Sequence, residues 1–91
     1  MKVVQTGSFR RKTKKLHAAE KTALDKAVKK ILNSPDSGTS KKGDLAGVRV
    51  IKYKVKAQQY LLAYWNDPEL ALITLLAIGT HENFYSAIRK E

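Results

Sequence analysis

The stretch Ile51-Lys52-Tyr53-Lys54-Val55-Lys56 alternates apolar and cationic side chains without a break. An extended strand sorts this pattern onto two faces, with Ile51, Tyr53 and Val55 on one and Lys52, Lys54 and Lys56 on the other. Such a strand needs one face covered and the other open, which favours an antiparallel sheet with one dressed side. The strand is expected over residues 48–57, with a turn at Ala57-Gln58. A second strand, rich in aromatic and aliphatic residues, follows over 59–65. Asn66-Asp67-Pro68-Glu69 is a strong turn signal. Residues 70–78 then read as a third strand, apolar on both faces apart from Thr74. Three strands joined by short turns make an antiparallel meander.

The first half of the chain supplies the cover. Val3-Val4-Gln5 is a short strand candidate, broken by Gly7-Ser8, with Ser8 available to cap a helix over residues 9–16. Phe9, Thr13 and Leu16 give that helix a thin buried stripe. Arg10, Arg11, Lys12, Lys14 and Lys15 place five cations in six positions, and they repel one another unless an anion is near. The clearest helix is expected over 18–33, where Leu24, Ala27, Val28, Ile31 and Leu32 follow the spacing of one apolar face. Ser34-Pro35 stops it. The two helices are expected to form a hairpin over the Ile51/Tyr53/Val55 face, with a linker over 34–47 anchored by Leu45. After the third strand, Gly79 turns the chain and Thr80 caps a short terminal helix. His81 and Tyr85 then share one face, while Phe84 and Ile88 anchor the helix to the core. The reading is a single α+β domain spanning residues 1–91.

Charge narrows the partners. Residues 1–56 carry 16 basic and 4 acidic side chains, a net of +12, whereas residues 57–91 carry 2 and 4, a net of −2. A basic half on a small domain points to a polyanion: nucleic acid first, an acidic protein segment second, an anionic membrane third. There are no cysteines, so neither a disulfide framework nor a thiolate metal site is available. The two histidines are far apart and the carboxylates lack ligand spacing, so neither a metal nor another cofactor is expected. The apolar run at 70–78 is too short to span a bilayer. With no apolar leader at the start of the sequence, a cytoplasmic protein is expected.

The cationic strand face and the terminal helix suggest a chemistry. The terminal helix begins where the third strand ends, so it can bring His81 and Tyr85 toward Lys52, Lys54 and Lys56. An RNA 2′-hydroxyl can attack its neighbouring phosphate if a base takes its proton, cations hold the developing charge and an acid protonates the 5′-oxygen. Lysines beside a histidine and a tyrosine offer those roles without a metal. The same lysines, on an exposed strand, also serve simply to keep the face soluble.

The order of elements, with Lys42-Gly43-Asp44-Leu45-Ala46-Gly47-Val48-Arg49, Tyr60-Leu61-Leu62-Ala63-Tyr64 and Gly79-Thr80-His81-Glu82-Asn83-Phe84-Tyr85, resembles the RelE/ParE superfamily of toxins from bacterial type II toxin–antitoxin pairs. The resemblance covers nearly the whole chain. It implies the microbial-RNase-type fold of the RelE branch, and a metal-independent endoribonuclease that cuts mRNA on the ribosome, leaving a 2′,3′-cyclic phosphate. Lys52 and Lys54 fall where that branch carries catalytic lysines, and Tyr85 near a functional aromatic. His81 falls where the branch carries an Arg or a catalytic His. The resemblance further implies a cognate antitoxin as partner, operator DNA only through the antitoxin complex, and docking on ribosomal RNA. Arg10, Arg11, Lys14, Lys15, Arg49, Lys56 and Arg89 are the cations expected to contact RNA. Leu61 departs from the pattern, since the RelE branch carries an Arg there. The ParE branch of the same fold inhibits DNA gyrase instead, and a non-enzymatic module binding antitoxin and nucleic acid is a third reading.

Overall fold

The computed structural model describes residues 2–40 and 47–80. The elements run β1 (Lys2–Gln5), α1 (Gly7–Thr13), α2 (Ala18–Asn33), β2 (Thr39–Ser40), β3 (Val48–Val55), β4 (Gln58–Asp67) and β5 (Leu72–Thr80). The expected terminal helix, with His81, Phe84, Tyr85, Ile88 and Arg89, and the Leu45 anchor lie outside the described residues.

The strands form one five-stranded sheet in the order β1-β5-β4-β3-β2. The meander forms as the alternation requires, β3 pairing antiparallel with β4 and β4 with β5. Two edges were not legible. β1 joins β5 in parallel, Val3 opposite Ile73 and Gln5 opposite Leu75, and the two residues of β2 add to β3 inside the stretch expected to be linker. α1 lies against β5 and α2 against β3. Both sit on one side of the sheet, over a core of Phe9, Leu24, Ala27, Ile31, Ile51, Leu62, Tyr64, Ile73, Leu75 and Ile78. The helices thus cover different strands, with a groove between them floored by Phe9, Leu24, Val28 and Leu75. α2 matches its expected bounds, but Leu32, expected on its apolar face, is exposed.

A bulge sets the phase of β5. Ala63 pairs with Ala77 and Tyr64 with Leu75, which leaves Leu76 as the extra residue. Ile73 and Leu75 therefore share the helix-covered face with Ile78 rather than with Ala77. Thr6 secures this point. Its N–H donates to the Leu75 carbonyl at 3.1 Å and its hydroxyl donates to the Leu76 carbonyl at 3.1 Å. The same hydroxyl oxygen accepts from the Phe9 N–H at 3.2 Å, so Thr6, not Ser8, caps α1.

The turns differ from expectation in two places. β3 stops at Val55, and Lys56-Ala57 forms the two-residue hairpin loop, with Lys56 at φ +56°. A residue in the left-handed region cannot continue the strand, so Lys56 leaves the Lys52/Lys54 row. At the far end, Asp67 accepts from the Leu70 N–H at 3.2 Å. Ala71 takes φ +49°, so β5 begins at Leu72 and Leu70 is exposed. β5 also runs two residues further than expected, so that Gly79 and Thr80, expected to turn the chain and cap a helix, pair with Leu61 and Tyr60.

Candidate functional site

Lys52 and Lys54 project from β3 on the side opposite the helices, and both are exposed. Their cross-strand neighbours are Leu61 and Gln59. Leu61 in turn faces Gly79, so Lys52 and the end of β5 lie in one transverse row, about 10 Å apart across two strand spacings. His81 directly follows Thr80 in sequence, but His81 and Tyr85 lie outside the described residues, as does Arg89. Among the described residues no cluster of His, Asp and Glu could hold a metal.

The face that carries the lysines is not an open cationic groove along its whole length. Val48, Val50, Leu61 and Ala63 form a second buried cluster there, with Leu76 and Ala77 packed against it. Leu61 is fully buried. The apolar half of β3 thus merges into this second core, and only its distal half presents cations.

Arg49 faces the other way. Its guanidinium donates to the carbonyls of Asp36 at 3.2 Å and Gly38 at 2.9 Å, and it pairs with the Asp36 carboxylate at 3.5 Å. Tyr64 holds the same loop from below: its buried hydroxyl donates to the Pro35 carbonyl at 2.7 Å and accepts from the Gly38 N–H at 3.0 Å. Gly38 has to be glycine, since a Cβ there would lie 2.9 Å from the Tyr64 hydroxyl and 3.1 Å from the Val50 carbonyl. Residues 35–38 are therefore fixed by two side chains from neighbouring strands.

The cations of α1 divide between two surfaces. Ser8, Arg11 and Lys12 share a face by helical spacing, and Lys15 follows on the turn that extends it. Together they border a cleft of about 260 Å³ over Leu76, Ala77 and Ile78. Lys14 instead borders the groove between the helices, with Lys21 and Lys29. Arg10 is exposed.

A contact absent from the sequence reading joins α2 to the sheet. The Tyr60 hydroxyl donates to Glu20 at 2.6 Å, and Glu20 also accepts from the His17 N–H at 3.0 Å. This hydrogen bonding, Tyr60 first, holds the Glu20 carboxyl below its ordinary range. The Glu20 bond in turn raises the Tyr60 phenol. Tyr60 stacks on Tyr53 with ring centroids 5.7 Å apart and planes 17° from parallel, and burial pushes the Tyr53 phenol well above its usual range. The pattern His17-x-x-Glu20 hinted at the start of a helix, but a histidine in the capping position is a weak signal. Nothing local ties Glu20 to a residue 40 positions away.

No curated protein matches this chain. Among solved structures, a mutant of E. coli toxin RelE in the free state is 20% identical, with a TM-score of 0.78, over 99% of this chain and 90% of that one. The toxin–antitoxin complex E. coli RelBE is 19% identical, with a TM-score of 0.73, over 86% of this chain and 93% of the matched one. A RelE mutant in complex with an antitoxin RelBc peptide is 20% identical, with a TM-score of 0.71, over 94% of this chain and 90% of that one. At these identities the likeness concerns the fold. A family described as "ParE-like toxin of type II bacterial toxin-antitoxin system" matches residues 3–89. With this arrangement of helices and sheet, and a match along almost its full length, the chain belongs to the ParE-like toxins of type II bacterial toxin–antitoxin systems.

Proposed function

We propose that this toxin is a metal-independent endoribonuclease that arrests translation by cutting mRNA on the ribosome. The observation that carries the reading is the pair of exposed lysines, Lys52 and Lys54, on one face of β3, with Lys52 in the row that ends at Gly79, two residues before His81. In this mechanism the attacking 2′-hydroxyl gives up its proton to one basic side chain of the set. Its oxygen bonds to phosphorus, the bond to the 5′-oxygen breaks, and a second side chain protonates that oxygen. One of Lys52 and Lys54 stabilises the negative charge that builds on the phosphoryl oxygens, and the other shares the two proton transfers with His81. Tyr85 orients the RNA or stacks on a base. The likeness to RelE supports a cognate antitoxin as the partner that silences the toxin. Among the described residues no helix is long and apolar enough to cross a membrane.

Single-turnover cleavage of ribosome-bound mRNA tests the proposal. Removing one stabilising donor at such a site typically costs about 100- to 1,000-fold in rate. Lys54→Ala and His81→Ala are each expected to lose activity on that scale while folding normally, and a cleaving Lys54→Ala/His81→Ala double variant would refute the assignment. A second reading, inhibition of DNA gyrase, draws on the ParE-like family match and on Leu61, which faces Lys52 where the RelE branch carries an Arg. Inhibition of supercoiling by purified protein without RNA cleavage would put that reading first.

A further inference from the structure

Three shallow clefts on the helix side of the sheet join end to end. The first, bordered by Ser8, Arg11, Lys12 and Lys15, is the cleft over β5. A second, of about 250 Å³, shares Lys12 and Ile78 with it and continues past Leu16 and Tyr60 to Gly79 and Thr80. The third, of about 480 Å³, shares Tyr60 and runs between His17, Glu20, Lys56 and Gln58 to the β3–β4 turn. The result is one groove from the start of α1 to the hairpin loop, mostly on the opposite side of the sheet from Lys52 and Lys54.

We infer that this groove binds single-stranded nucleic acid through its phosphates, as a site separate from the proposed cleavage site. Arg11, Lys12, Lys15 and Lys56 border it, and among the described residues the one ion pair is that of Arg49 with Asp36. Among the described residues, four cations therefore border the groove with no carboxylate within ion-pair range. Glu20, the one acid among the described residues on its wall, already accepts hydrogen bonds from Tyr60 and His17. Tyr60 stands between the cationic stretches with its ring braced against Tyr53. Cations flanking a rigid aromatic match the repeating phosphate and base of a single strand. An acidic peptide would meet the charges but has no planar unit for Tyr60.

The test uses a fluorescein-labelled dodecamer of deoxythymidylate, which the proposed 2′-hydroxyl chemistry cannot cut, so binding is read apart from cleavage. Anisotropy titrations are run at several salt concentrations. Arg11→Gln/Lys12→Gln/Lys15→Gln is expected to weaken binding at least tenfold and to reduce the salt slope by about 2, the value for three phosphates on a single strand. Lys21→Gln/Lys26→Gln/Lys29→Gln removes the same charge from the exposed surface of α2 and is expected to change affinity less than threefold. Tyr60→Leu is expected to weaken binding about fivefold or more, with circular dichroism confirming the fold. Equal losses in the two triple variants would reduce the effect to bulk charge and overturn the site, as would unchanged binding in the first. A glutamate dodecamer that competes as well as the oligonucleotide would overturn the nucleic-acid assignment, and equal affinity for a duplex would overturn the single strand.

Discussion

Lys56 and Ala71 adopt positive φ without being glycine. A Cβ in the left-handed region costs about 1–2 kcal/mol, which glycine avoids. Lys56→Gly, part of which is offset by glycine's greater freedom in the unfolded chain, is expected to raise stability by up to about 1 kcal/mol in urea titrations. Tyr64 is the opposite case, a side chain that nothing can replace. Tyr64→Phe leaves the Pro35 carbonyl and the Gly38 N–H without their partner, and leaving buried polar groups unpaired costs about 1–3 kcal/mol. The expected result is lower stability and faster amide exchange at Gly38. Glu20 gives a pH signature. Its folded pKa lies below the ordinary 4.5, so its contribution is complete above that value and is lost as pH falls through the depressed one. Tyr60 is raised above 10.0, so its contribution is present below pH 10 and is lost as pH rises through the raised value. Glu20→Gln is expected to flatten the acid limb of a stability-versus-pH curve; an unaltered acid limb would mean that the Tyr60 bond does not persist in solution.

At the scale of elements, Leu61 decides how far family analogy carries. By analogy with the RelE branch, an Arg restored there would complete a phosphate clamp beside Lys52. In the structure Leu61 is fully buried in the second cluster with Val48, Val50 and Ala63. A guanidinium placed there is desolvated without a partner, at an effective cost of several kcal/mol. Leu61→Arg is therefore expected to lower the melting temperature sharply rather than to raise cleavage. The meander and α2 were legible because alternation and helical spacing are local signals, carried by Ile51 to Lys56 and by Leu24, Ala27 and Ile31. The parallel pairing of β1 with β5 was not, since four residues hold no record of a partner 70 positions away. Lys56 escaped for a different reason: it continues the alternation in sequence while its backbone has already turned. Of the candidate site, the shared face of Lys52 and Lys54 was readable from period 2. The Glu20–Tyr60 bond and the division of α1's cations between two clefts depend on tertiary placement.

The whole molecule carries a net charge of +10 on 91 residues, with the described cations spread over α1, α2 and β3. Self-repulsion of this size weakens the compact state and is relieved as the Debye length shortens to ~10 Å at 0.1 M salt. Raising sodium chloride from about 20 to about 200 mM is expected to raise the melting temperature, and a melting temperature that does not rise would mean that the cations are already neutralised within the fold. The extra residue at Leu76 acts at this scale too. A strand that kept all its residues in regular alternation, without the bulge, would present Ala77 to the helices and aim Ile78 away from them. The chain would then depart from the sheet with its two sides exchanged, and whatever Thr80 leads into would begin on the wrong side. The bulge thus absorbs the extra residue without shifting the phase, and Thr6, which holds the Leu76 carbonyl, keeps the helices and the exit of the chain in a common frame. Deleting Leu76 would leave a regular strand with Ala77 still opposite Ala63 and Ile78 still opposite Leu62, so the bulge, not the number of residues, is what keeps the two sides of β5 in place.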